Sequence, residues 1–350
     1  MTSLDEAIAP VTTVPHATRN EDLVTALCGT AMVLGVLSDS WAHTNILKTL
    51  DGFFTPWHAL LYTGFAATGA WTFFLAYRRR HLAPEWWRDG WPAGHRLGAL
   101  GAVIFLLAGG GDMVWHQLLG VEANLAAGLS PSHLALAFGS TLLLSSPLRS
   151  WWAHGAEGGR RAATGIAGLV LATVVVSIFV GHALAFYPAQ ALQPYHQHAL
   201  NATEAQTAAL GAASYVVTTA LIVVPLLLVH RRRPTPGVVT ALVAAVSAFS
   251  LISRELPTAQ TAGAIGAVAG AVLADVLLLR LDKVRGTGAR LRLPIAAALV
   301  PALVWSGHLI GLEVGGGVRW PAELWAGIVV LTAGLSTTLG GLAARPADHS

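Results

Sequence analysis

The chain has 350 residues, 54% of them hydrophobic and 11% charged, with a formal net charge of +3 and a mean hydropathy of +0.59. A soluble domain carries about 25% charged residues, so the composition excludes an ordinary soluble enzyme and offers no basic surface for nucleic acid. The single cysteine, Cys28, excludes intrachain disulfides and thiolate metal clusters, and three methionines are too few for a thioether-lined Cu(I) path.

Residues 1–21 are polar and lack the basic start and small-residue cleavage site of a signal peptide, so they read as a retained tail. Ten apolar stretches follow, at 22–43, 57–77, 95–118, 132–148, 163–186, 205–229, 236–253, 259–280, 292–312 and 321–341. Most approach the roughly 20 residues that cross a bilayer. The expected fold is all-α, a polytopic membrane helix bundle arranged as five hairpins. Residues 22–148 form a region of two repeated hairpins, 149–343 supply six further helices, and 344–350 form a short tail. The abundant glycines (37 of them) suit close helix packing.

Basic residues fall on alternate connections. Arg78, Arg79, Arg80, Arg88, Arg96, Arg149, Arg160, Arg161, Arg231, Arg232, Arg233, Lys283, Arg285 and Arg290 share one side, against only Lys48, Arg254 and Arg319 on the other. The positive-inside rule then predicts a cell-membrane protein with both termini cytoplasmic. It also sorts the histidines. His43, His58, His116, His133, His182, His196, His198 and His308 fall outside. His16, His81, His95, His154, His230 and His349 fall inside, where solvent or headgroups are expected around them.

One polar pattern occurs twice within the apolar sequence. Asp39-Ser40-Trp41-Ala42-His43 precedes Thr55-Pro56-Trp57-His58, and Asp112-Met113-Val114-Trp115-His116 precedes Ser130-Pro131-Ser132-His133. The copies are offset by 73 residues at the Asp and 75 at the last His. Residues four apart share a helix face, so Asp39 projects with His43 and Asp112 with His116. Thr55 and Ser130 suit an N-cap, and Pro56 and Pro131 the first helical position. His58 and His133 then fall in the first turn of the returning helix. An antiparallel hairpin brings that turn back to the pair. Each hairpin thereby predicts one carboxylate and two imidazoles near the outer membrane face.

Such a trio suits copper, zinc or iron better than magnesium or calcium, and three protein ligands leave a coordination position open. A plainer arrangement of the same residues is an Asp–His ion pair beside a capping His. Further polar or metal candidates are Glu122, His182, His196, His198, His308 and Glu313; for the histidines packing is the first expectation. Glu122, Glu313 and Glu323 read first as loop or capping residues, Glu323 at a capping-box position. Asp275 is expected to pair with Arg280, and Arg254 with Glu255.

The repeated pattern resembles the C subunit of the copper-containing membrane monooxygenases, the particulate methane and ammonia monooxygenases. That subunit has an Asp-x-x-x-His…Thr-Pro-x-His site, followed by one of Asn-x-x-x-His…Pro-x-His form. The resemblance covers about residues 30–145. It implies that Asp39, His43 and His58 hold one metal and Asp112, His116 and His133 another. Asp112 stands where the family has Asn, which makes the second site more anionic. The resemblance further implies copper as cofactor, A- and B-like subunits as partners, and O2-dependent hydroxylation of a small apolar substrate or ammonia. The trios themselves also suit metal-ion transport or homeostasis, or a membrane zinc hydrolase, and a homo-oligomer is compatible with either.

Overall fold

The computed structural model describes residues 14–46, 54–83, 85–120, 122, 124–187, 189–198, 201–253, 255–282 and 289–345. Lys48, Arg254, Lys283, Arg285 and His349 lie outside them, as do most of the two tails. Among the described residues every regular element is helical. The first half contains α1 (Arg19–Asn45), α2 (Pro56–Tyr77), the short α3 (Trp86–Asp89), α4 (Arg96–Leu119), α5 (Asn124–Leu129), α6 (Pro131–Leu144) and α7 (Ser146–Ala153). The second half contains α8 (Arg160–Phe179), α9 (Ala202–Arg232), α10 (Val238–Ile252), α11 (Thr258–Asp282), α12 (Ala289–Gly316) and α13 (Ala322–Ala343).

Eight of these, α1, α2, α4, α8, α9, α11, α12 and α13, are long and apolar enough to cross a membrane. The other two expected spans are shorter. Pro147 lacks an N–H and clashes with the preceding turn, so the stretch expected at 132–148 divides into α6 and α7. The 15 residues of α10 rise only about 22 Å at 1.5 Å per residue. The fifth expected span stops at Phe179, seven residues early. Leu184, Ala185 and Phe186 continue as buried irregular chain. The Ala185 N–H finds a partner in the Thr218 hydroxyl of α9 at 2.9 Å, which is how non-helical backbone survives inside a bundle.

The start of α1 lies inside the expected tail. Thr18 and Glu21 form a reciprocal capping box that begins the helix at Arg19. Glu21 then meets Arg78 at 2.9 Å and Arg79 at 2.8 Å. Asp22 accepts from Ser150 at 2.9 Å and lies 3.6 Å from His95. His95 is fully buried and His230 nearly so, so neither faces solvent or headgroups as expected. Asp275 also departs from expectation. Five residues along a helix from Arg280, it points elsewhere, and its carboxylate accepts from the backbone N–H and hydroxyl of Thr240 at 2.9 and 2.7 Å. It thus caps α10, whose own cap position is Gly237 and has no side chain to do so.

In the first half α1 packs on α2 and α4 on α6. Glycines allow both crossings. A Cβ on Gly64 would strike the Met32 backbone, and one on Gly139 the Gly101 carbonyl. Farther along, α11 packs most extensively on α12, from a different expected hairpin, because Gly266 and Gly307 let the two backbones touch. One buried apolar cluster joins α1, α2, α4, α6 and α8 through Met32, Leu61, Phe105, Leu143 and Val175. A larger one fills the second half around Trp305, Leu226 and Val243. The first cluster lies directly beneath the polar motifs.

Candidate metal centre

Each motif converges as its spacing requires. In the first, Asp39 and His43 sit one turn apart near the end of α1. Thr55 caps α2 by accepting the His58 N–H at 3.1 Å, with Pro56 at the first helical position. In the second, Asp112 and His116 end α4. Ser130 caps α6 by accepting the His133 N–H at 3.4 Å, with Pro131 following. The bond that starts each returning helix therefore also fixes the backbone of its histidine.

The two trios share one internal pattern. Asp39 Oδ2 lies 3.7 Å from His43 Nε2, and Oδ1 lies 3.5 Å from His58 Nε2. Asp112 Oδ2 lies 3.4 Å from His116 Nε2, and Oδ1 lies 3.2 Å from His133 Nε2. One ligand atom from each residue of a trio falls within 4.8 Å of the others. Most of these gaps exceed the 2.7–3.2 Å of a sound N–H···O bond. They match two donors on one tetrahedral ion, which stand roughly 3.3 Å apart when metal–ligand bonds are about 2.0–2.1 Å. The donor set and its spacing fit a bound transition metal.

The surroundings prepare the second trio for that role. His133 Nδ1 lies 2.6 Å from the Ala127 carbonyl oxygen. A carbonyl only accepts, so Nδ1 carries a proton and Nε2 is the nitrogen turned to Asp112, able to donate to its carboxylate or, deprotonated, to hold an ion. Ser132 donates to Asp112 Oδ1 at 2.8 Å. Asp112 and His116 are buried, and His58 is 7% exposed.

The trios are also neighbours. The His58 and His116 rings are 6.2 Å apart between centroids. A cavity of about 770 Å³ runs past Asp39, His43, His58, Asp112 and His133. Its apolar wall includes Leu61, Phe105 and Leu136, and α8 adds Ile178 and Phe179. On the first side, Trp41 and Trp57 meet edge to face at 5.8 Å.

The remaining candidates scatter. His182 is exposed and lines the cavity. His196 instead pairs with Glu204, at 2.8 Å from Nδ1, and His198 is exposed. His308 is buried among Phe186, Tyr215 and Trp305, away from the cavity wall. Glu313 accepts the Val318 N–H at 2.6 Å and closes the turn after α12. Glu323 forms no capping box, because Pro321 is itself the cap residue and offers no side-chain oxygen. Glu122 approaches the second trio, 3.4 Å from His116 Nδ1.

Tyr62 was not legible as a site residue. It stands one turn after His58, lines the cavity, and sets its hydroxyl against Gly109 of α4, where a Cβ would come within 2.7 Å. The i,i+4 spacing from His58 was the available signal. Comparison of the chain with protein-family models, with curated proteins and with solved structures returned no match, so the chemistry of the centre rests on its own geometry.

Proposed function

We propose that this chain is an integral-membrane metalloprotein that binds two ions side by side, one in each Asp–His–His trio. The observation that carries this reading is the convergence of both trios on one largely apolar cavity, with donor gaps suited to shared coordination. Copper is the ion we assign. Four imidazoles and two carboxylates suit Cu(II), and the resemblance to the monooxygenase C subunit points the same way.

In this reading the trios face the outside of the cell membrane and both termini face the cytoplasm. The arginine-rich connections lie at the opposite ends of the same helices. Copper held there would supply redox chemistry and an open position at which O2 can react. The protein's own part is organisation. Asp39 and Asp112 offset the charge of the ions, and the histidines fix their positions. Leu61, Phe105 and Leu136 give the chamber an apolar wall on which a small apolar molecule can settle beside the trios. Hydroxylation of such a molecule, with A- and B-like subunits as partners, is the activity this arrangement serves.

Electron paramagnetic resonance of the purified, copper-loaded protein tests the assignment. Cu(II) signals with couplings from imidazole nitrogens, lost on replacing His58 and His133 together by Ala, are expected. A protein that retains zinc and refuses copper would contradict it.

A further inference from the structure

We propose that Glu122 is the positioning residue for His116, and that it makes the Asp112 trio the tighter of the two metal sites. The inference rests on the two-site reading above and deepens it.

His116 lies between two carboxylates, one at each ring nitrogen. Its Nε2 faces Asp112 Oδ2 at 3.4 Å, and its Nδ1 faces Glu122 Oε2 at 3.4 Å. The two nitrogens point in diverging directions, so a group at Nδ1 cannot reach an ion at Nε2. Glu122 is therefore placed to orient the imidazole rather than to ligate beside it. Its side chain is 13% exposed. Neither of its oxygens accepts a hydrogen bond from any described residue. A desolvated carboxylate in that state needs a donor. The Nδ1–H of a His116 whose Nε2 coordinates metal is the group in position to supply it.

This completes a set. His133 is held at Nδ1 by the Ala127 carbonyl, and Asp112 is held by Ser132. With Glu122 behind His116, every ligand of the second trio has an outer partner. Two of these partners, Glu122 and Ala127, come from the chain between α4 and α6. A partner of this kind fixes the tautomer and the ring angle and raises the basicity of the ligand. In the first trio, by contrast, His43 Nδ1 is buried with no hydrogen-bond partner among the described residues. His43 thus lacks at Nδ1 the outer partner that His133 has in the second trio.

The test is a competitive titration of the full-length protein with Zn(II) against a chelator, for the wild type, Glu122→Ala and Glu122→Gln. Two unequal sites are expected in the wild type. Glu122→Ala should weaken the tighter site by about 10–100-fold while keeping two ions per chain, the usual cost of losing an outer partner. Glu122→Gln, whose amide oxygen still accepts from Nδ1–H, should recover most of the loss. Helical circular dichroism equal to the wild type confirms that each variant is folded. A misfolded Glu122→Ala leaves Glu122→Gln to decide, through a measurable weakening of the tighter site alone. Two wild-type ions with unchanged affinity in both variants would overturn the role of Glu122 and leave the two-site reading standing. Complete loss of one ion in both variants would make Glu122 a ligand and overturn the positioning role. A wild-type protein that binds no ion would overturn both.

Discussion

His58 of the first trio and His116 of the second stand with ring centroids 6.2 Å apart, across the boundary between α2 and α4. Two donor sets separated by 73 residues in sequence thus lie side by side. Ions held in both would repel each other. Unit charges about 8 Å apart interact by roughly 2 kcal/mol at an effective dielectric near 20.

The first prediction follows from that repulsion. His133→Ala should abolish the Asp112 site and tighten the Asp39 site by about tenfold or more, since roughly 1.4 kcal/mol is a factor of ten. Zn(II) titration of the variant measures it. An Asp39 site with wild-type affinity would show that the two ions do not feel each other.

Caps and ligands should prove coupled. Thr55→Ala and Ser130→Ala each remove a side chain that accepts the N–H of a ligand histidine. Each should cost about 1 kcal/mol of stability. Each should also weaken ion binding at its own trio several-fold without weakening the other trio. Thermal unfolding and metal titration read the two effects. A stability loss with both ion affinities intact would show that the caps do not position the histidines.

Much of this centre was legible in the sequence. Asp39, His43, Asp112 and His116 announce themselves by i,i+4 spacing, and His58 and His133 by the Ser/Thr-Pro pair that starts a helix three residues earlier. These signals are local and need no knowledge of the fold. What escaped depends on contacts between distant segments. The burial of His95 comes from Asp22 and the packing of α1 against α7. The capping role of Asp275 depends on a neighbouring helix that lacks a cap of its own. The irregular chain that follows α8 is held by a hydroxyl of α9. Periodicity cannot report any of these, because each partner lies in another element.

The glycine crossings permit a selective perturbation. Gly64 and Gly139 each stand six residues after the ligand histidine of their helix. A Cβ on either would strike the backbone of the paired helix. Gly64→Ala should spread α1 from α2, cost about 1–3 kcal/mol, and remove or weaken the Asp39 site without weakening the Asp112 site. Gly139→Ala should do the same to the Asp112 site. Equal damage to both sites from either variant would contradict the independence of the two hairpins.

The buried cluster at the other end of α1 should be structural alone. Glu21→Ala strips Arg78 and Arg79 of their carboxylate, and breaking a buried pair costs about 3–5 kcal/mol. The variant should unfold at lower denaturant yet bind the wild-type number of ions per folded chain. A selective loss of ions at full stability would instead tie the cluster to the metal centre.

The metal content of the purified full-length protein tests the central claim most directly. Mass spectrometry of the wild type, His58→Ala, His133→Ala and the double variant, each loaded with copper and stripped of loose ions, should give two, one, one and no ions per chain. The same content in all four proteins would show that these imidazoles hold no metal.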